Sequence, residues 1–198
     1  MKKTITALTL YSLALGTAAV QAQTSGYTRY SNSYTVQNRT NGCGGWRYSS
    51  GIWTTWVCAG EERVELRWRD WPSQSTYNQW QGEINFTSGT QKTCIMQIKS
   101  NTGGEPIYLQ VTSSGTIRND NSSTNIAGGM ANVWFRWNAL FNPATGDSRA
   151  YVNGSQKVVR SYPTSARDWY FKNGTYNNGL PSGGKSTAQF RYISHWYK

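Results

Sequence analysis

Three side chains that can bind an anion or transfer a proton alternate along one short segment near the C-terminus. The segment Tyr170–Tyr176 reads YFKNGTY, and a β-strand puts Tyr170, Lys172 and Tyr176 on one face because its side chains alternate with a period of two. A strand that covers a core usually carries Val or Ile at such positions. Since a nearby positive charge favours phenolate over phenol, this face is suited to proton transfer.

A second segment of this kind is Arg63–Arg69, RVELRWR, in which apolar and charged side chains alternate. The pattern predicts a strand with one face toward a core. Glu65 lies between Arg63 and Arg67 on the other face, and we expect its carboxylate to hold both guanidinium groups in fixed orientations. Binding of a carboxylate substrate requires such fixed groups. An ordinary solvated strand is the alternative explanation.

The third segment is Ile95–Lys99, IMQIK. Met96 and Ile98 alternate with Gln97 and Lys99, so a strand here projects an amide and an ammonium from its polar face. An exposed edge strand explains this pattern equally well.

The elements that must position these residues are strands, because helical periodicity is nearly absent and turn residues interrupt the chain at short intervals. Besides the segment that ends at Tyr176, the predicted strands are Arg63–Arg69, Gln81–Thr87, Thr93–Ser100, Ile107–Val111, Trp134–Phe141, Ser148–Val152 and Ala188–Trp196. Many short strands without helical crossovers predict one all-β domain, an antiparallel sandwich or jelly roll.

The N-terminus has the composition of a secretory signal peptide. Lys2 and Lys3 precede a mildly apolar run from Ile5 to Val20, and the small-residue site VQA follows at 20–22. We therefore expect cleavage after residue 22 and secretion of a single domain, 23–198, which is long enough for one sizeable core. An ordinary N-terminal helix is the alternative.

The cysteines agree with secretion. Cys43 and Cys58 bracket a turn-rich stretch and are predicted to form a loop-closing disulfide, whereas Cys94 lies in an apolar run and is predicted to be a buried free thiol. Because His195 is the single histidine and no Cys-x-x-Cys pair exists, neither a metal nor a cofactor is expected. Sequons that permit glycosylation in a eukaryotic source lie at Asn38, Asn85, Asn121, Asn153 and Asn173.

The chain is strongly basic. Its formal charge is +11, and +9 remains once Lys2 and Lys3 leave with the signal peptide. A secreted basic protein favours polyanionic partners: acidic polysaccharide, nucleic acid or anionic lipid. Ten Trp and thirteen Tyr provide rings on which sugars or bases can stack. Charge that serves solubility alone is the remaining explanation.

Taken in order, the three polar segments resemble motifs of the alginate-lyase-like polysaccharide lyases, which comprise family 7 and related glucuronan lyases. RVELR at 63–67 resembles the group's R-S/T-E-L-R strand, and QIK at 97–99 matches two positions of its Q-I/V-H triplet. YFKNGTYNN at 170–178 resembles its Y-F-K-A-G-x-Y-x-Q motif. The resemblance implies a concanavalin-like β-jelly roll whose concave sheet forms a cationic groove for an anionic chain.

Lyases of this kind cleave a uronan by β-elimination, which removes the C5 proton, expels the C4 oxygen and forms a C4=C5 double bond. By position, the resemblance implies that Arg63 and Gln97 contact the substrate carboxylate and that Tyr176 transfers the proton. Binding the charge that develops on the carboxylate should lower the barrier most. The remaining substrate-binding residues are expected to be Glu65, Arg67, Tyr170 and Lys172, of which Lys172 would also favour the phenolate of Tyr176.

One position departs from the family's pattern: Lys99 stands where the catalytic histidine would be. His195 is not expected to replace that histidine, because ISHW at 193–196 resembles the family's closing strand, in which a histidine is not catalytic. In one hypothesis, Lys99 is a fixed cation and Tyr176 acts as both base and acid. That mechanism requires the C5 proton and C4 oxygen on the same side of the sugar, as in β-D-mannuronate and β-D-glucuronate. In the other, catalysis is lost and the groove only binds an acidic glycan.

Other classes of protein fit the sequence less well. A lectin-like module does not need the combination of Arg63, Gln97, Lys172 and Tyr176, and a nucleic-acid binder does not explain three ordered motifs. A glycoside hydrolase needs two opposed carboxylates, for which the few acidic residues show no paired pattern. We therefore predict a secreted, monomeric lyase of acidic polysaccharide, with neither nucleic acid nor membrane as a partner.

Overall fold

The computed structural model describes residues 24–87, 89, 91–112, 114–119, 124–162 and 168–198. The predicted signal peptide at 1–22 lies outside the described residues. The strands are β1 (Thr28–Tyr30), β2 (Tyr34–Arg39), β3 (Gly44–Ser49), β4 (Ile52–Cys58), β5 (Arg63–Trp68), β6 (Asn78–Phe86), β7 (Thr93–Ser100), β8 (Ile107–Val111), β9 (Ile117–Asn119), β10 (Asn125–Ala127), β11 (Phe135–Phe141), β12 (Asp147–Val152), β13 (Ser155–Ser161), β14 (Trp169–Asn177) and β15 (Lys185–Tyr197).

These strands form two antiparallel sheets that pack face to face. The first sheet has the order β13-β12-β11-β6-β15-β4-β3, and β1 pairs with the C-terminal part of β15. The second sheet has the order β10-β9-β8-β7-β14-β5-β2. The prediction of an all-β antiparallel sandwich is confirmed, and every predicted strand is present with small shifts at its ends.

Several strands were not predicted, and the edges of the sheets explain two of them. β2 and β3 are the last strands of their sheets, and most of their side chains are exposed or partly exposed. Because one side of an edge strand faces solvent, its sequence does not need the strict alternation that a half-buried central strand shows.

The core lies between the sheets and is rich in aromatic rings. Trp80 and Trp137 from the first sheet and Trp169 and Phe171 from the second are almost completely buried. Six of the ten tryptophans have at most 8% of their surface exposed, so most of them stabilise the core instead of offering stacking surfaces to a ligand. Composition alone did not distinguish the two roles.

Three predictions about single residues are resolved by the fold. Cys43 and Cys58 form the predicted disulfide, and Cys94 is a buried free thiol. The sequon at Asn173 is not usable in the folded protein, since Asn173 is fully buried and its Oδ1 accepts a hydrogen bond from Trp68 Nε1 at 2.6 Å. The sequon at Asn121 lies outside the described residues. Within the part of the chain that the structure describes, no helix is long and apolar enough to cross a membrane.

Gly174 allows β14 to lie unusually close to β5. A Cβ at this position would stand 2.6 Å from Glu65 Cα and closer still to the carbonyl oxygen of Val64. We expect Gly174→Ala to lower the free energy of unfolding by about 1–3 kcal/mol, because backbone atoms must move to admit the methyl group. Denaturant unfolding measures the loss. Gly42→Ala is the control, since its Cβ would meet nothing nearer than a flexible Glu61 oxygen at 3.7 Å; equal losses in the two variants would contradict the prediction.

His195 lies in the core and not in the groove. Its ring packs 4.8 Å from Trp68 and 5.6 Å from Phe171 between ring centroids, and only 4% of its surface is exposed. Burial, with a smaller contribution from Arg29, lowers its pKa from 6.5 to about 3. This placement agrees with the expectation that His195 does not replace the catalytic histidine.

The buried His195 predicts acid sensitivity. Between pH 6.5 and about 3 the unfolded chain binds a proton at this residue that the folded chain does not, so stability falls as the pH falls through that window. The limiting slope is about 1.4 kcal/mol per pH unit. His195→Phe should show a flatter decline in urea unfolding measured across this range. Parallel curves for the two proteins would contradict the prediction.

Candidate active site

The predicted functional side chains meet on the outer face of the second sheet, because β14 pairs with β5 on one side and β7 on the other. Tyr176 is opposite Arg63 in β5, and Lys172 is opposite Arg67 in β5 and Gln97 in β7. Tyr170 is likewise opposite Lys99 in β7. Three segments that are distant in sequence therefore form one continuous polar surface, which we call the groove face.

Glu65 is at the centre of the groove face and binds three of the other side chains. Its Oε1 accepts a hydrogen bond from Gln97 Nε2 at 2.6 Å, and its Oε2 accepts from Lys172 Nζ at 2.9 Å and from Arg63 at 3.3 Å. Lys172 Nζ also donates to Gln37 Oε1 at 2.7 Å. Glu65 and Lys172 are only 1% and 2% exposed. Glu65 therefore lies beneath the surface together with Lys172 and with Gln97, which is 1% exposed, and it orients Arg63, whose side chain keeps 14% of its surface exposed.

The expected contact between Glu65 and Arg67 is not made. Arg67 instead donates to Asn101 Oδ1 at 2.8 Å, and its guanidinium carbon lies 4.0 Å from the centre of the Tyr170 ring. The physical reason is the position of Asn101 in the turn after β7, a competing acceptor that sequence alternation within β5 cannot reveal. The Glu65 carboxylate thus holds the guanidinium group of Arg63 but not that of Arg67.

Arg63 and Tyr176 form the second stacked pair of the groove face. The Arg63 guanidinium lies 4.2 Å from the centre of the Tyr176 ring, a favourable cation–π geometry. Burial alone would lower the pKa of Arg63, but the carboxylates of Glu65 and Glu62 raise it above its ordinary value. A permanent positive charge is therefore fixed beside the phenol.

The sequence led us to expect the Lys172 ammonium beside Tyr176. Instead, it is directed at Glu65 and Gln37. Burial lowers the pKa of its ammonium, and the Glu65 carboxylate opposes part of that shift. The cation that lies on the Tyr176 ring is Arg63. Lys172 and Glu65 instead form a buried ion pair in the floor of the groove face.

Lys99 also has an acidic partner. Its Nζ lies 2.5 Å from Glu105 Oε1, and the side chains of Lys99 and Glu105 are 25% and 37% exposed. Any anionic group that approaches Lys99 must compete with the carboxylate of Glu105. The pair is near the solvent, which makes such an exchange feasible at low cost.

Sequence reasoning missed four contributors: Gln37, Asn101, Glu105 and Tyr108. Tyr108 packs edge-on against Tyr176, with 6.5 Å between ring centroids, and burial raises its pKa. Gln37 lies on the unpredicted edge strand β2, whereas Asn101 and Glu105 follow β7 in a loop. Alternation in β8 could have indicated Tyr108; the other three carry no periodic pattern. Among the described residues, no group of three His, Cys, Asp or Glu side chains could hold a metal ion.

Comparison with known proteins identifies the fold. No family model matches the chain. A citrate-binding protein from Hevea brasiliensis is 24% identical over 155 residues, which cover 73% of this chain and 63% of that protein. The chain thus spans less than two thirds of this curated relative.

Solved structures match over most of the chain. A sialidase matches with a TM-score of 0.64 at 11% identity, over 82% of this chain but 16% of the sialidase. An alginate lyase from Pseudomonas aeruginosa matches with a TM-score of 0.60 at 18% identity, over 77% of this chain and 86% of the lyase. The marine family 7 alginate lyase from Zobellia galactanivorans matches with a TM-score of 0.61 at 15% identity, over 87% of this chain and 95% of that lyase. The chain therefore has the β-jelly-roll fold of the alginate-lyase-like polysaccharide lyases, as predicted.

Proposed function

We propose that the protein is a secreted lyase that cleaves an acidic, uronate-containing polysaccharide by β-elimination. The observation that supports this proposal most is the convergence of Arg63, Gln97 and Tyr176 on one face of the sheet. A guanidinium and an amide can bind a carboxylate, and the phenol beside them can transfer a proton. The fold shared with alginate lyases is consistent with an extended anionic chain as substrate.

In this mechanism Arg63 and Gln97 bind the carboxylate attached to C5. Gln97 uses one amide N–H for Glu65 and has a second N–H for the substrate, but it is only 1% exposed, so Arg63 is the more accessible of the two donors. The charge that develops on the carboxylate when C5 loses its proton is then stabilised by donors that are already oriented. Glu65 contributes indirectly, since it fixes both donors.

Tyr176 accepts the proton from C5 as phenolate and returns it to the C4 oxygen as that bond breaks. The electron pair of the C5–H bond forms the C4=C5 double bond, and the C4–O bond pair leaves with the oxygen. The Arg63 guanidinium, stacked 4.2 Å from the centre of the Tyr176 ring, places a fixed positive charge beside the phenol that carries the proton. Lys99 supplies an additional cation once the substrate carboxylate has displaced the Glu105 carboxylate from it.

One residue can remove and return the proton only when the C5 proton and the C4 oxygen are on the same side of the ring. We therefore expect turnover of polymannuronate or polyglucuronate to exceed that of polyguluronate by at least about tenfold in kcat/KM. Initial rates of ultraviolet absorbance from the conjugated double bond measure this preference on the three polymers. Equal or faster turnover of polyguluronate would contradict the assignment of both proton transfers to Tyr176.

The experiment that tests the lyase activity itself is a panel of uronans incubated with the purified protein. An increase in absorbance on at least one polymer is expected. The absence of an increase on every acidic polysaccharide, combined with retained binding, would favour the alternative below.

The alternative is a protein that binds acidic glycans or other carboxylates without cleaving them. Two observations favour it: the pairing of Lys99 with Glu105, where the lyases have a histidine, and the similarity to a citrate-binding protein. In this alternative the groove face recognises carboxylates through Arg63 and Gln97, and Tyr176 contributes only a ring and a hydroxyl group.

A further inference from the structure

A cluster of aromatic side chains lies at one open edge of the sandwich, where β2 ends the second sheet and β3 ends the first. Trp53 is its centre: its ring centroid is 4.6 Å from that of Tyr48, 4.9 Å from that of Tyr34 and 5.5 Å from that of Trp46. Tyr34 also lies 4.9 Å from Trp68. These side chains belong to the inner faces of the two sheets but extend beyond the covered core.

The outer members of the cluster are accessible to solvent. Tyr34, Trp46 and Tyr48 are 41%, 42% and 57% exposed, whereas Trp53 and Trp68 beneath them are 8% and 7% exposed. Exposed apolar side chains that occur singly are ordinary, but a contiguous aromatic patch marks a binding surface.

Two adjoining cavities open at this edge. One, of about 400 Å³, is lined by Tyr48, Trp53, Arg191 and Tyr192 among others. The second, of about 450 Å³, is lined by polar groups that include Arg29, Asn32 and Ser194. Both cavities share Trp68 and Ile193 as walls. We call the two cavities together the edge cleft.

Two residues of β15 line the edge cleft, one with a strained backbone and the other with a fixed side chain. Tyr192 is 72% exposed and has a φ of 54°, a left-handed conformation that is unfavourable for an aromatic residue. It lies at an irregularity in the pairing of β15 with β6. Arg191 is bound to Glu83 at 2.7 Å and stacked 4.1 Å from the centre of the Trp134 ring. Strained backbone and fixed side chains of this kind are found at binding sites.

The composition of the edge cleft fits a sugar better than a protein partner. A pyranose ring presents an apolar C–H face to an aromatic ring and a rim of hydroxyl groups to hydrogen-bonding side chains. The edge cleft supplies exposed aromatic rings from Tyr48 and Tyr192, and donors or acceptors from Arg29, Asn32 and Ser194. Small-molecule sites combine an apolar wall with a few polar groups in this way.

The edge cleft and the groove face lie on opposite faces of a single strand, β2, which is the free edge of the second sheet, so a chain that reaches both must pass around that edge. Gln37 of β2 contacts Lys172 in the floor of the groove face, and Tyr34 of the same strand contacts Trp53 in the cleft. Three residues of extended chain separate them, roughly 10 Å. We propose that the edge cleft is a second saccharide-binding site, which stacks one or two sugar rings of the polysaccharide chain that the groove face binds. The proposal rests on the proposed function only for the identity of the polymer.

The test compares binding of the full chain to immobilised polymannuronate and polyglucuronate at 0.05 M and 1 M NaCl. All proteins carry Tyr176→Phe so that the polymers stay intact. High salt screens the ionic contacts of the groove face, whereas stacking persists. The variant is Tyr48→Ala combined with Tyr192→Ala, both highly exposed positions. The control is Val159→Ala, which is 61% exposed on β13 at the opposite edge of the first sheet.

We expect affinity at 1 M NaCl to fall at least tenfold in the double variant and to remain unchanged in the control. Equal affinity of the double variant and its parent at 1 M NaCl would overturn the proposal. Absence of any salt-resistant binding by the parent would overturn it too. Neither result affects the lyase proposal, which the absorbance assay on the protein with Tyr176 intact tests separately.

Discussion

Replacement of Tyr176 by Phe is expected to reduce kcat on the preferred uronan by at least about a thousandfold. The hydroxyl group is the only part removed, and it carries both proton transfers in the proposed mechanism. One general acid–base group typically accelerates a reaction by about 10²–10⁴-fold. Because Tyr176 has both roles, the loss of rate should lie at the upper end of that range. The ring remains, so its stacking with Arg63 at 4.2 Å and its packing against Tyr108 should persist. Folding and polymer binding should therefore change little.

The measurement is the initial rate of double-bond absorbance, accompanied by thermal unfolding and a binding assay. Tyr108→Phe is the matched control, because it removes the same atom from the neighbouring ring, which is 5% exposed and has no proposed chemical role. Its activity should stay within about tenfold of the parent, a fraction of what a general acid–base group supplies. If the Tyr176 variant kept more than a tenth of the parent's activity, another residue would have to move the proton.

Replacement of Glu65 by Gln is expected to have the largest effect on stability, a loss of about 3–5 kcal/mol in the free energy of unfolding at neutral pH. The substitution keeps the shape of the side chain but removes the counter-charge of Lys172, which is 2% exposed and bound to Glu65 at 2.9 Å. An ammonium without its partner in this position is costly. Activity should also fall, because Arg63 and Gln97 lose the acceptor that orients them.

The pH dependence of this variant provides an independent check. Burial already lowers the pKa of Lys172, and loss of Glu65 removes the attraction that opposes this shift. Between the lowered pKa of the folded protein and the ordinary lysine value near 10.4, the unfolded chain binds more protons, so the stability of the variant should rise with pH. The parent protein, in which the ion pair is intact, should show a smaller rise in stability at alkaline pH.

A second substitution separates the charge from the packing. Lys172→Met in the Glu65→Gln background removes the buried ammonium, so urea unfolding should recover much of the lost stability without recovering activity. A Glu65→Gln variant within about 1 kcal/mol of the parent would contradict the central role of this ion pair.

Much of the groove face was predictable from the sequence, since alternation alone reveals which side chains share a face. Tyr170, Lys172 and Tyr176 lie on one side of β14 because the period of a strand is two, and no tertiary contact can change that. The three segments that resemble lyase motifs lie on the neighbouring strands β7, β14 and β5, and Gly174 in the last motif has a physical reason in the close approach of β14 to β5.

The partners of each charge were not predictable in the same way. Lys172 and Glu65 are 107 residues apart in sequence. Lys99 binds Glu105, which lies in a loop that has no periodic pattern. Alternation predicts a face but not the register between strands, and register decides which side chains touch. For this reason Arg67 was expected to bind Glu65 and instead binds Asn101.

Periodicity and composition act locally along the chain, and for that reason they were sufficient to predict the all-β architecture, the disulfide and the three polar strand faces. Long-range packing places Glu65 beneath the surface, most tryptophans in the core and a cluster of aromatic rings at the edge of the sandwich. Burial and ion pairing depend on which strands become neighbours, and long-range packing sets those neighbours.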